Sequence, residues 1–334
     1  MNSERPNTGA PSSGPPGFSR PRPAKLRLWG RRILTTGFLL LVAWLLFTHA
    51  RRTDWEAVWA ALAGYDLTQI AIACLLAACS YLAYASYDLF GRYYVGHRIP
   101  VARTMSIAFI CCAFTLNLGA LIGSIGFRYK LYSQRGVGKG DVAHIVGMSI
   151  TTNWLGYSLL AGLVFLSGNF SIPAGWAASD ALMKLLGGAL VAVVVGYWLL
   201  CMFAQKRSWN IRGQVITLPS IRMALLQIAA SAAHWLFMGG VVFTFLYGHV
   251  GYFSLLGVLL LSSIAGLIAH VPGALGVLEA VFLALLADTV APAQLLAALI
   301  AYRAVFYLLP LLIAVVAYVL NEISMKRISS DPQQ

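Results

Sequence analysis

The sequence has little charge. Asp, Glu, Lys and Arg together make up 10% of its 334 residues, whereas 59% of the residues are hydrophobic. An ordinary soluble domain carries about 25% charged residues. A chain of this composition has more apolar surface than a water-soluble core can bury. The composition therefore excludes a string of soluble domains and leaves no room for a large soluble catalytic domain. It predicts a protein that lies in the lipid bilayer.

The sequence also lacks the motifs of the common enzyme classes. It contains no Gly-rich nucleotide loop, no HExxH or GxSxG motif and no DxD-type metal pair, and its 11 acidic residues are scattered. No CxxC pair or His-spaced cluster is present, so we expect the five cysteines to be small buried hydrophobic residues. They are Cys74, Cys79, Cys111, Cys112 and Cys201. We predict no catalytic residue, no metal, no cofactor and no enzyme activity.

Acidic residues are fewer than basic residues: the chain has 11 Asp and Glu and 24 Lys and Arg, which gives a net charge of +13. Such an excess can mark a nucleic-acid-binding protein. Here, however, 20 of the 24 basic residues fall in the connecting segments that, counted along the alternating apolar runs, lie on the cytoplasmic side of the membrane. This is the distribution that the positive-inside rule describes. The excess therefore indicates membrane topology, and we expect no nucleic acid as a partner.

Apolar runs of the length that a membrane-spanning helix needs, about 17–25 residues, define the organisation of the chain. They occur at 33–49, 67–90, 143–166, 182–204, 222–247 and 293–319. Residues 1–27, rich in proline, glycine, serine and arginine, are predicted to form a disordered basic cytoplasmic tail. Residues 28–323 are predicted to form one integral membrane domain, followed by a short cytoplasmic tail at 324–334.

Two further apolar runs, 104–127 and 253–288, are interrupted by glycine, and the second also by proline. A full crossing of the first run would put the four basic residues between 128 and 139 outside, against the positive-inside rule. A hairpin that enters and returns keeps them inside, and the second run must then begin and end outside. We predict an all-α polytopic membrane protein with six full spans, two re-entrant hairpins from opposite faces, and both termini in the cytoplasm.

The two interrupted runs resemble each other, which indicates an inverted repeat. Both carry a Gly-x-x-Gly motif beside a lone charge: Gly123, Gly126 and Arg128 in the first, and Gly273, Gly276 and Glu279, after Pro272, in the second. Broken helices that meet at the bilayer midplane form the substrate site of many transporters, and their N-termini can hold an anionic group. The alternative is close helix packing through small residues. We predict hairpin tips at 120–126 and 272–278.

Ionisable residues inside apolar segments are further candidates for a substrate site, because a charge at that depth costs about 2.5–3.5 kcal/mol. Arg303 lies midway along the last span, and Glu279 is its expected partner; the pair either stabilises the fold or serves transport. Arg128 is expected at the inner interface, lining a lipid headgroup site. His270 adjoins the second interrupted run, and Asn153 lies in a polar patch of the 143–166 span.

Two other polar residues are expected to have structural roles. Asn117, like Asn153, can bond backbone groups where a helix is interrupted. His234, midway along the 222–247 span, is expected to be a hydrogen-bonded packing residue in preference to a proton relay.

The sequence around these candidates resembles the transmembrane region of lysylphosphatidylglycerol synthases. The resemblance rests on Pro272-Gly-Ala-Leu-Gly-Val-Leu-Glu279, on the stretch from Gly123 to Arg128, and on the spacing of Arg303, Tyr307 and Pro310. It covers residues 27–322. The family motif often has a second glycine where this chain has Ala274.

The resemblance implies an integral protein of the bacterial inner membrane and, as the family's best-understood activity, lipid translocation. It does not imply lysyl transfer, which needs an aminoacyltransferase domain, since only the short segment 324–334 follows the last expected span. Membrane lipids, above all anionic phospholipids, are the expected partners. Two other classes stay open: an accessory protein that binds a lipid-synthesis enzyme, and a membrane-embedded lipid enzyme, against which the missing motifs argue.

Overall fold

The structure is a computed structural model that describes residues 55–168, 180–204, 208–211, 214–269 and 271–330. Several predictions concern residues outside the described ones: the N-terminal tail, the span at 33–49, His270, and residues 331–334 of the C-terminal tail. The backbone of residues 324–330 continues the last helix.

The described chain is almost entirely helical. Its α-helices are α1 (Trp55–Ala63), α2 (Leu67–Ala85), α3 (Tyr87–Val95), α4 (Val101–Leu118), α5 (Phe127–Ser133), α6 (Lys139–Leu166), α7 (Asp180–Phe203), α8 (Ile221–Phe245), α9 (Tyr252–Ala269), α10 (Val277–Leu286), α11 (Pro292–Arg303) and α12 (Leu309–Ser330). Short turns of other helical types are Leu121–Gly126 and Ala304–Leu308, both π-helical, and Pro272–Ala274, a 3-10 turn. Strands β1 (Ser208–Ile211) and β2 (Gln214–Thr217) pair antiparallel, with Ser208 opposite Thr217.

Seven helical segments among the described residues are long and apolar enough to cross a membrane, with α2–α3 and α11–α12 each counted as one. Five of them coincide with predicted spans. The other two, α4 and α9, are the first arms of the interrupted runs. The all-α, polytopic fold predicted from the composition is confirmed.

Local sequence signals set several helix ends. Before α2, the Asp66 amide donates to Gln69 Oε1 at 3.1 Å, and before α8 the Ser220 Oγ accepts from the Met223 amide at 3.3 Å. These bonds satisfy backbone donors or fix the entry of the chain at helix N-termini. Pro292 occupies the first turn of α11, where its missing amide hydrogen costs no helical bond.

The core forms where α2 packs along α8 and where α6 packs along α7 and α8. The contact between α6 and α8 depends on a glycine: a β-carbon at Gly156 would lie 2.3 Å from Ser231 Oγ. On the outside, Leu185, Val193 and Phe203 of α7 are exposed, as expected for a helix that faces lipid.

Residues 101–133 fold back on themselves, and we call this segment hairpin 1. The helix α4 ends at Leu118, and the next residue, Gly119, has a φ of 88° that suits only glycine. The π-turn and α5 then return along α4. Gly123 lies directly on α4, because a β-carbon there would be 2.2 Å from the Thr115 amide nitrogen. Farther along, the rings of Phe114 and Phe127 stack with centroids 4.2 Å apart. The chain thus reverses in the first interrupted run, as the charge pattern predicted.

Residues 252–286 also reverse, and we call them hairpin 2. Between α9 and α10 three residues take positive φ: Gly273 (64°), Ala274 (47°) and Gly276 (78°). The returning helix α10 packs on α9, and a β-carbon at Gly266 of α9 would lie 2.6 Å from the Ala274 β-carbon.

The two hairpins approach the last helical segment, Pro292–Ser330, from opposite ends. The base of hairpin 1 contacts its C-terminal part, where Lys130 Nζ lies 3.0 Å from Glu322 Oε1. At the same end Arg135 donates to Asn321, and burial and the nearby Arg103 guanidinium lower the pKa of Arg135. The base of hairpin 2 is joined to Pro292 by a short loop. The hairpins therefore run in opposite directions, as an inverted arrangement requires.

Candidate functional site

The tips of the two hairpins meet beside the middle of the last helical segment. Asn117, near the tip of hairpin 1, donates to the Tyr307 carbonyl at 3.3 Å and to the Ala113 carbonyl at 2.8 Å. A β-carbon at Gly273, in the tip of hairpin 2, would lie 3.5 Å from the Leu116 carbonyl oxygen. We call this meeting point the tip junction; its residues are Leu116, Asn117, Gly273, Ala274, Glu279, Arg303 and Tyr307.

An ion pair between Arg303 and Glu279 lies at the tip junction, as expected from the sequence. Arg303 Nε donates to Glu279 Oε1 at 2.5 Å, and Nη2 donates to Oε2 at 3.1 Å. The two side chains are 15% and 20% exposed. The pair is therefore shielded from most solvent and lipid contact while one side of it stays accessible.

The same two side chains hold the turn of hairpin 2 in place. Arg303 Nη1 donates to the Gly273 carbonyl at 3.0 Å, and Nη2 donates to the Ala274 carbonyl at 3.2 Å. Glu279 Oε2 accepts from the Gly276 amide at 2.8 Å, at the N-terminus of α10. Non-helical backbone at membrane depth is tolerated only where protein groups satisfy it, and these bonds satisfy it here.

The π-helical turn after Arg303 supplies acceptors to neighbouring helices. The Phe306 carbonyl accepts from Tyr81 OH at 3.0 Å, and the Tyr307 carbonyl accepts from Asn117. The Tyr307 ring packs on the Arg303 guanidinium, whose carbon lies 5.4 Å from the ring centroid. Side chains that bond carbonyls of an irregular turn are a recognised cause of such turns, which occur often at functional sites.

Arg128 has a different environment from the one expected. Its side chain is 0% exposed and pairs with Asp88, also 0% exposed, through Nη2 and Oδ1 at 2.9 Å. Further bonds run from Arg128 to Ser124 Oγ at 2.6 Å and Ser149 Oγ at 3.1 Å, and Tyr132 OH donates to Asp88 at 2.9 Å. The expectation that Arg128 snorkels to the inner interface is wrong, because these partners satisfy the charge inside the protein. Its proposed contact with a lipid headgroup has no support in this arrangement.

Sequence reasoning missed Asp88. The available signal was a lone carboxylate inside the predicted 67–90 span, because an acid at that depth needs a partner. The partner lies 40 residues farther along the chain, in the returning arm of hairpin 1.

The remaining candidates lie in other places. The carbonyl of Asn153 accepts from Ser231 Oγ at 3.0 Å and so connects α6 with α8. Gly126 has ordinary helical φ and ψ, so it is not the residue at which hairpin 1 reverses. Pro272 begins the turn of hairpin 2. His234 is buried, and its Nδ1 lies 2.8 Å from Ser80 Oγ, as expected for a hydrogen-bonded packing residue.

Comparisons with known proteins identify a family whose model matches most of this chain. A family model described as lysylphosphatidylglycerol synthase TM region matches residues 33–314. The inner membrane protein YbhN of Escherichia coli is 42% identical over 299 residues, which cover 89% of this chain and 94% of that protein. An uncharacterised protein of Synechocystis is 30% identical over 262 residues, 77% of this chain and 80% of its own length. The phosphatidylglycerol lysyltransferase of Staphylococcus haemolyticus is 25% identical over 227 residues, 65% of this chain and 25% of that enzyme.

Proposed function

The chain belongs to the lysylphosphatidylglycerol synthase TM region family, and we propose that it translocates phospholipids across the bacterial inner membrane. The observation that carries the proposal is the tip junction, where two oppositely directed hairpins meet at an accessible Arg303–Glu279 pair. Discontinuous helices that meet in this way form the substrate sites of many secondary transporters.

Arg303 is suited to hold the phosphate of a lipid headgroup. A guanidinium has five N–H donors in a planar fork that matches the oxygens of a phosphate. Four hydrogen bonds to Glu279, Gly273 and Ala274 leave one Nη1 hydrogen without an acceptor among the described residues. A phosphate oxygen can accept from this hydrogen before it displaces any protein partner.

The surroundings of the tip junction suit a lipid that keeps its acyl chains in the bilayer. Leu121 and Ile122 of hairpin 1 and Leu275 of hairpin 2 are exposed apolar side chains near the two tips. Such side chains favour contact with acyl chains, while the pair of Arg303 and Glu279 offers the polar contacts that a headgroup needs.

The orientation we propose puts both termini in the cytoplasm. The basic residues Arg103, Lys130 and Arg135 lie at the same end of the molecule as Glu322 near the C-terminus. The positive-inside rule assigns this end to the cytoplasm, and hairpin 2 then enters from the opposite face.

A reconstitution experiment tests the translocation. Purified full-length protein is placed in vesicles that contain a trace of acyl-labelled fluorescent phospholipid, and dithionite quenches the label that reaches the outer leaflet. We expect the protein to accelerate exchange between leaflets, and Arg303→Gln to slow it about tenfold or more, because it removes a charged phosphate ligand.

Lys130→Gln is the matched control, since it removes a basic residue of hairpin 1 outside the tip junction and should keep the wild-type rate. Folded wild-type protein that moves lipid no faster than empty vesicles would refute the proposal and favour a non-transporting accessory role.

A further inference from the structure

We infer that the headgroup bound at the tip junction is zwitterionic and carries an amine: its phosphate binds Arg303 and its ammonium binds Glu279. The inference rests on the proposed function and names the lipid class that the same site takes. It differs from the expectation of anionic phospholipids that the basic inner loops suggest.

The tip junction is electrically neutral. Arg303 forms its ion pair with Glu279, and no other charged side chain among the described residues pairs with either of them. The site therefore has a net charge of zero before a lipid arrives. The second buried pair, Arg128 with Asp88, is likewise neutral, and because it is fully buried it offers no ligand access.

A change in the net charge of this site costs free energy. An anionic headgroup would leave the site with an uncompensated negative charge in a medium of low dielectric constant, next to the Glu279 carboxylate. A zwitterion keeps the total charge at zero. It can also replace one ion pair with two, since its phosphate pairs with Arg303 and its ammonium pairs with Glu279.

Backbone contacts hold both charged side chains at the turn of hairpin 2. When the pair separates, each side chain keeps a backbone contact that holds it in position. Arg303 keeps the Gly273 and Ala274 carbonyls at 3.0 and 3.2 Å, and Glu279 keeps the Gly276 amide at 2.8 Å. The two charges therefore stay beside the same turn, where a headgroup whose phosphate and ammonium groups are two carbons apart can reach both. A site held in this way before binding favours the ligand that matches both charges.

A competition between two lipids tests the inference. Vesicles with the full-length protein receive phosphatidylethanolamine or phosphatidylglycerol, both labelled on the same acyl chain so that the headgroups stay intact. We expect the wild-type protein to move phosphatidylethanolamine about tenfold faster than phosphatidylglycerol, as one additional charged hydrogen bond would give.

Two variants test the part played by Glu279. Glu279→Gln makes the site positive, so the preference for phosphatidylethanolamine should fall about tenfold or reverse. Glu322→Gln, which removes the α12 carboxylate that pairs with Lys130, is the matched control and should keep the wild-type ratio.

The possible outcomes separate the two proposals. Equal rates, or faster phosphatidylglycerol, in the wild type would overturn the zwitterion inference while lipid translocation stands. Glu279→Gln with the wild-type ratio would overturn the assignment of the ammonium to Glu279. If neither lipid moves, the proposed function itself is wrong. If Glu279→Gln does not fold, the ratio of phosphatidylethanolamine to phosphatidylglycerol transport by the wild-type protein still tests the zwitterion inference.

Discussion

At the scale of single residues, the part of the chain that the structure describes contains two arginine–carboxylate ion pairs that differ in exposure. Arg128 and Asp88 are fully buried and bonded to Ser124, Ser149 and Tyr132. Arg303 and Glu279 stay partly exposed and contact the backbone of a turn. A buried pair with all its hydrogen bonds made has little capacity for a new ligand, whereas a pair that retains an accessible side can exchange partners.

The Arg303–Glu279 contact predicts non-additive effects of mutation. Arg303→Gln and Glu279→Gln should each destabilise the protein by about 3 kcal/mol, because each leaves the other charge uncompensated. The double variant should recover about 1–2 kcal/mol of the summed loss. The unfolding midpoint of the four proteins in detergent measures this coupling. Strictly additive effects would show that the two side chains do not form a pair.

A second residue-scale prediction concerns Ala274, which has a φ of 47° in the turn of hairpin 2. An alanine in the left-handed region is strained by about 1–2 kcal/mol, and glycine is not. Ala274→Gly should therefore stabilise the protein by about 1 kcal/mol, seen as a higher Tm. Ala280→Gly is the matched control, because Ala280 is exposed and lies within the helix α10. It should lower the Tm, since glycine inside a helix costs about 1 kcal/mol. A lower Tm for both variants would contradict the strained turn.

At the scale of elements, each hairpin reverses through glycine and closes through close packing. Hairpin 1 turns at Gly119 and brings Gly123 onto the backbone of α4, and hairpin 2 turns through Gly273, Ala274 and Gly276. The regular helical bonds stop at these turns, so side chains from other helices, Asn117 and Arg303 among them, supply hydrogen bonds nearby.

The two glycines of the first Gly-x-x-Gly motif should respond differently to alanine. At Gly123 a β-carbon would lie 2.2 Å from a backbone nitrogen of α4, so Gly123→Ala should destabilise the protein by about 3 kcal/mol or more. At Gly126 the nearest atom, the Leu121 carbonyl oxygen, is 3.6 Å away, so Gly126→Ala should be neutral or slightly stabilising. Thermal unfolding in detergent measures both. Equal tolerance of the two substitutions would contradict the close return of hairpin 1.

At the scale of the whole molecule, the last helical segment is the common support of both hairpins. It contacts the base of hairpin 1 at Glu322, the tip of hairpin 1 at Tyr307 and the tip of hairpin 2 at Arg303. These three contacts fix the opposite directions of the hairpins without reference to a membrane. The distribution of basic residues then predicts which end faces the cytoplasm.

The orientation predicts opposite labelling of the hairpin bases. We replace the native cysteines with alanine and introduce one cysteine at Lys130 or at Phe253, both exposed. An impermeant maleimide applied outside the inner membrane should label Phe253→Cys at once and Lys130→Cys only after that membrane is permeabilised. A green fluorescent protein fused to the C-terminus should fluoresce, which checks the orientation independently. Labelling of both positions from the outside would refute the opposite entry of the hairpins.

The sequence predicts the partner of Arg303 correctly but not the partner of Arg128. Arg303 and Glu279 were paired correctly because each is a lone charge in a strongly apolar segment and each lacks another nearby candidate. Arg128 was misplaced because it lies close to several basic residues in sequence, which makes an interface position look inexpensive. Only the packing of hairpin 1 against α3 and α6 brings Asp88 and Ser149 around it.

Three properties of this protein follow from its sequence: that it lies in the lipid bilayer, how many apolar segments it has, and where two of them are interrupted. These properties depend on the composition of contiguous stretches and on the position of charges along the chain, which the bilayer selects directly. Which charges have all their hydrogen bonds made and which stay accessible is seen only in the tertiary structure. That distinction depends on hydrogen-bond partners from distant segments: Asp88 for Arg128, and the turn of hairpin 2 for Arg303. Contacts of this kind follow from how the hairpins pack, which no local pattern encodes.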